Sequence, residues 1–315
     1  MDRIGVDVGG TFIKAGIVRD GQLISKLSIP TENEKGTETI LNNIAKAAEM
    51  AAAEVGKTIT DFDCAGFGIP GNVDDKEGVV VMCPNLGGWR QFPFKKEMEK
   101  LLPLKVYVGN DANCAVLGET VSGAAAGAQD AVLLTLGTGV GGGMVCGGRL
   151  ITGHAGLGAE LGHMCLIPGG VQCGCGMKGC LEAYCSVTAL VRQTKEKMAE
   201  NADSLMHAYA KDAGIVDGRT SFECAKLGDK AALEVVETYT DNLALAIGSL
   251  ITIFRPEVVL LGGGLSNQGA YLTDMINAKT PRYVFASGFA YVPEVKKALL
   301  GNDAGIIGAA YLSDN

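Results

Sequence analysis

RIGVDVGGTFIKAGIVRDG, residues 3–21, is the stretch from which the rest of the chain is read. Arg3 to Val8 is a short apolar, β-prone run. Gly9-Gly10 interrupts it, Phe12 to Val18 is a second such run, and Asp20-Gly21 is a dipeptide that favours a tight hairpin turn. A third run ends near Ile29, so the spacing predicts a three-stranded antiparallel meander. Between its first two strands lie Asp7-Val8-Gly9-Gly10-Thr11: an acid, two glycines and a hydroxyl. Successive backbone N–H groups in such a turn can face an anion, and residues without a Cβ let a phosphate come close.

Beyond the meander, apolar residues recur at helical spacing from Thr37 to Val55, with Thr37 as N-cap and Gly56 as stop. Cys64 to Ile69 reads as a strand closed by Pro70-Gly71, and Lys105 to Val108 as another that runs into Gly109-Asn110-Asp111. Strands alternating with helices predict an α/β fold. Around residue 131 the opening pattern begins again. Ala131 to Leu136 is a buried-type strand, Gly137 to Gly143 a glycine-rich turn and Gly143 to Cys146 a returning strand. Leu136-Gly137-Thr138-Gly139-Val140-Gly141 thus mirrors Asp7 to Thr11 and suggests a duplicated fold with nucleotide between the halves. Helices are expected over Cys180 to Met198, Ser204 to Ala213 and Lys230 to Phe254. A strand from Glu257 to Leu261 runs into Gly262-Gly263-Gly264, and Ala304 to Leu312 closes the chain as a helix. None of the three glycine turns fits G-x-x-x-x-G-K-[ST], and no G-x-G-x-x-G is followed by a suitably placed acid, so Walker and Rossmann sites are not supported.

Composition sets the outer bounds. A chain of 315 residues with 47% hydrophobic and 20% charged residues can bury a large core, and its length suits two domains. The net charge of -8, with no concentration of Lys and Arg, argues against nucleic acid as a partner. Asp7 interrupts the apolar residues at the amino terminus, unlike a signal peptide, and no apolar run reaches the ~20 residues that span a bilayer. A cytoplasmic protein without membrane contact is expected. Its ten cysteines should then be mostly reduced thiols. Six of them, Cys64, Cys83, Cys114, Cys146, Cys165 and Cys224, read as small core residues.

The remaining cysteines carry chemistry. Cys173-Gly174-Cys175-Gly176-Met177-Lys178-Gly179-Cys180 follows His163 by ten residues. Three thiolates and one imidazole make a set suited to tetrahedral Zn²⁺ with no open position, hence structural. Cys185 is a competing ligand, but a helix continuing from Leu181 would aim it away. Glu160 and Glu182 flank the cluster, where carboxylates could bridge adjacent hydroxyls of a polyol. Asp7, beside the first glycine turn, could hold Mg²⁺ directly or through water. Asp111, at the end of its strand, could accept a proton from an attacking hydroxyl. The same position also suits the N-cap of the helix that follows, and the local sequence does not separate these two roles.

Taken together, these motifs resemble the ROK family of bacterial sugar kinases and repressors, within the actin-like, hexokinase-like ATPase superfamily. The resemblance spans nearly the whole chain. It rests on Asp7 to Thr11, Leu136 to Gly143, Val259 to Gly264, Glu160-Leu161-Gly162-His163, and Cys173 through Glu182. It implies a two-lobed, ribonuclease H-like ATPase fold with a duplicated βββαβα-type core and a zinc-binding loop. The small lobe would take residues 1–112 with 301–315, and the larger one, carrying zinc, residues 113–300. It further implies that Asp111 is the base that takes the sugar hydroxyl's proton as it attacks the γ-phosphate of ATP. Gly71, Asn85, Asn110, Asp111, Glu160, His163 and Glu182 would hold the sugar. Asp7, Gly9, Gly10, Thr11, Lys14, Thr138, Gly139, Gly263 and Gly264 would hold the nucleotide and its Mg²⁺. His163 would bind zinc through one nitrogen and sugar through the other. A homodimer or higher homo-oligomer is implied as well.

Within that resemblance the expected reaction is phosphorylation of a hexose, glucose to glucose 6-phosphate. Kinases for N-acetylmannosamine and N-acetylglucosamine share nearly the same cysteine run, and fructokinases depart from its middle. A repressor would carry a helix-turn-helix domain ahead of the first strand, where this sequence has only Met1 and Asp2. A zinc-ribbon interaction module is disfavoured by the acidic charge and the single cluster. The segment Pro84-Asn85-Leu86-Gly87-Gly88-Trp89 is expected to border the sugar, with Trp89 either packing or serving as a platform.

Overall fold

The computed structural model describes residues 1–315. Its contacts group the chain into two units: Met1–Leu133 with Gly143–Ala159 and Ala298–Asn315, and Leu134–Gly142 with Glu160–Lys297. The division drawn from the sequence falls at residues 112 and 301, whereas the contact grouping carries the first unit on to Leu133.

The first unit opens with the meander. Strands β1 (Asp2–Val8), β2 (Phe12–Arg19) and β3 (Gln22–Pro30) pair antiparallel, with Asp7 opposite Lys14. Asp20 and Gly21 have φ of 50° and 79°, the two positive values that a type I′ turn requires. Helix α1 (Thr37–Glu54) buries Ile40, Leu41, Ile44, Ala47, Ala48 and Ala51 in the core of this unit. Its N-cap is Gly36, not Thr37. The Thr37 hydroxyl is instead the acceptor for the Trp89 indole N–H at 3.0 Å, which removes it from capping.

Strand β4 (Cys64–Ile69) pairs parallel with β1 and, on its other side, with a strand from Lys105 to Asn110. Between them the chain makes a small sheet of β5 (Asn72–Asp74), β6 (Val79–Cys83) and β7 (Trp89–Phe92), then helix α2 (Phe94–Leu101). None of these four elements stands out in the sequence, since the strands have only 3, 5 and 4 residues. The Lys105–Asn110 strand is β8, and the sheet order is β3-β2-β1-β4-β8.

Helix α3 (Asp111–Ser122) follows β8 without a linker and packs against the C-terminal helix Ala304–Ala310. Backbones meet there: a Cβ on Gly308 would stand 1.6 Å from the Cys114 carbonyl oxygen, so only glycine fits. This packing is why α3 belongs to the first unit. The fully buried Glu119 fixes the neighbouring chain by accepting from the N–H groups of Ala124, Leu299 and Leu300 at 2.7, 3.1 and 2.8 Å.

A second five-stranded sheet has the order β11-β10-β9-β12-β13, formed by β9 (Ala131–Leu136), β10 (Val140–Cys146), β11 (Arg149–Leu150), β12 (Val258–Gly262) and β13 (Glu294–Lys297). Because β10 starts at Val140, Gly141 to Gly143 lie in a strand and the turn expected over Gly137 to Gly143 is shorter. Cys180 to Met198 is likewise not one helix. It divides into α4 (Glu182–Cys185) and α5 (Val187–Glu200) at Ser186, whose extended backbone and side chain, accepting from Ala189 N, cap α5. The helices α6 (Leu205–Ala213), α7 (Thr220–Lys226), α8 (Lys230–Phe254) and α9 (Ala270–Lys279) complete the second unit, and Ala304–Ala310 is α10. No helix is long and apolar enough to cross a membrane. Of the six cysteines assigned to the core, Cys146 and Cys165 are exposed and Cys64 is half-buried, so that assignment holds only for Cys83, Cys114 and Cys224.

Candidate active site

In the first unit the turn between β1 and β2 is closed by the Gly9 N–H donating to the Phe12 carbonyl at 2.9 Å. Thr31, fully buried, braces it from the end of β3. Its N–H donates to the Thr11 carbonyl at 2.9 Å and its hydroxyl to the Gly9 carbonyl at 2.6 Å. With those carbonyls engaged, Gly10 and Thr11 stay exposed. Lys14 donates to the Asp7 carboxylate at 3.0 Å, which follows from their opposed places in the ladder. Asn85 is exposed on the loop after β6, and the Asn33 side chain clasps that loop, donating to the Asn85 carbonyl and accepting from Gly87 N. Trp89 is packing and not a platform: it is buried and stacks on Phe92 with centroids 4.7 Å apart.

At the end of β8 the N-cap expected of Asp111 is supplied by its neighbour. Asn110 is the N-cap of α3, its side-chain oxygen accepting from Ala112 N and Asn113 N at 2.9 and 3.0 Å. Its amide nitrogen donates to the Gly71 carbonyl at 2.9 Å, so Asn110 also fixes the loop after β4. Asp111 is then the first residue of the helix, and its Oδ1 accepts from Ala112 N at 2.8 Å.

The second unit joins its groups more tightly. Glu182, at the start of α4, accepts through Oε2 from Val140 N at 3.0 Å, and its Oε1 receives the Cys173 thiol at 3.4 Å. The glycine turn and the cysteine loop are thereby bonded through one carboxylate. Gly139 has to be glycine for this, since a Cβ there would stand 2.3 Å from Glu182 Oε2. Residues Leu161 to His163 form a short 3-10 turn entered from Glu160, and the Glu160 carbonyl accepts from His163 N at 3.0 Å. Gly162 lets that turn lie on β10, for a Cβ would come 1.9 Å from the Val140 carbonyl oxygen. Glu160 itself is exposed. The start of α5 holds the same glycine turn from its other side: Val187 N donates to the Gly137 carbonyl at 2.8 Å and Thr188 Oγ1 to the Thr138 carbonyl at 2.7 Å. The sequence does not point to either residue, which lie some 50 positions from the turn.

His163, Cys173, Cys175 and Cys180 bring one donor atom each to a common point, all within 4.8 Å of one another. Cys185 is buried and lies outside this set. The Cys175 and Cys180 sulfurs are 3.6 Å apart, and Cys173 Sγ is 3.8 Å from His163 Nδ1. A tetrahedral centre with legs of about 2.3 Å has edges near 3.8 Å, a spacing that these two donor pairs match, so the set is compatible with zinc. Burial, followed by the neighbouring Cys175 and Cys173, pushes the Cys180 thiol up to about 12. A cation is what such a group needs to act as thiolate. Gly263 and Gly264 follow β12, and Gly263, with φ of 78°, passes so near β9 that a Cβ would stand 2.4 Å from the Leu136 carbonyl oxygen.

Comparison with known proteins adds a second line of argument. The sequence pattern of the ROK family matches residues 3–315. The chain is 40% identical over 309 residues to a glucokinase of Thermotoga maritima, covering 98% of this chain and 95% of that protein. To an N-acetyl-D-glucosamine kinase of Pasteurella multocida it is 31% identical over 330 residues, 98% of each. A solved structure of a ROK family glucokinase from Streptomyces griseus, in complex with glucose and AMPPNP, superposes with a TM-score of 0.81 at 35% identity, covering 99% of both chains.

Proposed function

The chain belongs to the ROK family, and we propose that it is an ATP-dependent hexose kinase that converts glucose to glucose 6-phosphate with Asp111 as general base. The observation that carries the assignment of the base is the placement of Asn110. The cap of α3 is supplied there, so capping does not account for the carboxylate at 111. In the reaction a sugar hydroxyl oxygen attacks the γ-phosphorus, Asp111 takes the hydroxyl's proton, and the bond to the β-phosphate oxygen breaks to leave ADP. Gly71, Asn85, Asn110, Glu160, His163 and Glu182 hold the sugar in this reading. Gly9, Gly10, Thr11, Lys14, Thr138, Gly139, Gly263 and Gly264 hold the nucleotide in this reading, and Asp7 would hold its Mg²⁺ directly or through water, an ion that would neutralise phosphate charge.

The matching strand orders of the two five-stranded sheets support a two-lobed fold with a duplicated core. The donor spacing supports zinc in the His163, Cys173, Cys175 and Cys180 set, where its role is structural. Zinc has a consequence for Glu182. A metal-bound Cys173 thiolate has no proton to donate, so Oε1 loses that partner and a sugar hydroxyl can replace it. A homodimer or larger homo-oligomer is part of the same family-based reading.

Glucose ranks ahead of N-acetylglucosamine because identity is 40% to the glucokinase and 31% to the N-acetylglucosamine kinase. An ADP-release assay across glucose, N-acetylglucosamine, N-acetylmannosamine, mannose and fructose tests this. The highest kcat/KM is expected with glucose, and a higher value with an N-acetyl sugar would reassign the substrate.

A further inference from the structure

Cys165 lies two residues beyond His163, exposed and outside the four-donor set. It is nevertheless paired with one of the four. Cys165 and Cys180 oppose each other in an isolated antiparallel bridge. The kind of pair is fixed by the flanking hydrogen bonds: Leu166 N donates to the Gly179 carbonyl at 2.7 Å, and Leu181 N to the Met164 carbonyl at 2.9 Å. These bonds lie to either side of the cysteines and not between them. In such a non-hydrogen-bonded pair the Cα atoms are about 4.5 Å apart and both side chains leave from the same face. Disulfides span Cα separations of about 4.4–6.8 Å, so the backbone is already within range.

We propose that Cys165 and Cys180 form a reversible cross-strand disulfide when the protein meets a peroxide, and that this opens the metal set. The exposed Cys165 thiolate attacks one peroxide oxygen, the O–O bond breaks, and the departing hydroxide is protonated to water, leaving a sulfenic acid. The Cys180 sulfur then attacks the Cys165 sulfur, the S–O bond breaks, and the second oxygen leaves as hydroxide that becomes water. Two thiols are oxidised to one disulfide and one peroxide is reduced to two waters. Once Cys180 is in the disulfide it no longer supplies a thiolate, and the remaining His163, Cys173 and Cys175 do not close a tetrahedron. Loss of zinc in this scheme rests on the zinc reading above, whereas the disulfide rests on the backbone pairing alone.

The experiment uses the purified full chain, with metal content measured first. The protein is treated with equimolar hydrogen peroxide beside a chromogenic zinc chelator, free thiols are alkylated, and non-reduced peptides are mapped by mass spectrometry. A peptide crosslinked through Cys165 and Cys180 is expected, with zinc released in parallel and both changes reversed by reductant plus Zn²⁺. Cys165→Ser, which alters only an exposed thiol, should keep its zinc and its kinase activity under reducing conditions and lose the crosslink. Crosslinks confined to Cys173, Cys175 and Cys180, with Cys165 still open to alkylation, would overturn the proposal. A Cys165–Cys180 crosslink in protein that never held zinc would support the disulfide and overturn the zinc reading.

Discussion

The two glycine turns look alike in sequence and are held in different ways. The first, Gly9 to Thr11, is braced by a single residue, Thr31, through two short bonds to its carbonyls. The second, Gly137 to Gly139, is gripped by the start of α5 and, through Val140 N and Glu182, is bonded to the cysteine loop. A disturbance of the first turn should therefore stay local. One in the second should reach both the nucleotide residues and the sugar residues proposed for that unit.

The largest expected effect sits outside both turns and sets the scale for the rest. Asp111→Ala should lower kcat by roughly 10²–10⁴-fold while the melting temperature and ATP affinity stay near those of the parent. Retained turnover would exclude this carboxylate as base. Next is the metal set: Cys180→Ser should fall below one zinc per chain and lose roughly 10–100-fold in kcat/KM for the sugar, read by metal analysis beside kinetics. If kinetics are unchanged in zinc-depleted protein, the metal set does not position the sugar residues beside it. Gly139→Ala is a sharper probe, since its Cβ would stand 2.3 Å from Glu182 Oε2. The KM values for ATP and sugar should both rise, about tenfold in total kcat/KM, or about 1.4 kcal/mol. The smallest effect belongs to Thr31→Val, which removes one side-chain bond to the Gly9 carbonyl and costs about 1 kcal/mol of stability in a denaturant titration. It should raise the KM for ATP and leave that for the sugar alone. Equal shifts in both would erase the contrast between the turns.

What the sequence reveals follows from how local each signal is. The β1 to β3 meander and α8 are legible because their apolar periodicity and turn residues lie within the elements themselves. The cysteine set is legible for the same reason, three of its four donors falling within residues 173–180. Other features depend on distant partners. Thr37 reads as a cap until Trp89 is found to occupy its hydroxyl. Cys180 to Met198 reads as one helix because Ser186 does not interrupt the apolar pattern, although its side chain starts a new helix. Strand β13 carries Glu294, Lys296 and Lys297 around one buried Val295, so it lacks an apolar signature. The bond from Glu182 to Val140 joins positions 42 residues apart, which no local reading can supply.

The most direct measurement is to identify the product formed from glucose and ATP by ³¹P and ¹³C NMR, with the Asp111→Ala protein run alongside. The account predicts stoichiometric glucose 6-phosphate and ADP from the parent protein, and neither at a comparable rate from the variant. Inorganic phosphate in place of sugar phosphate, or undiminished glucose 6-phosphate from Asp111→Ala, would contradict it.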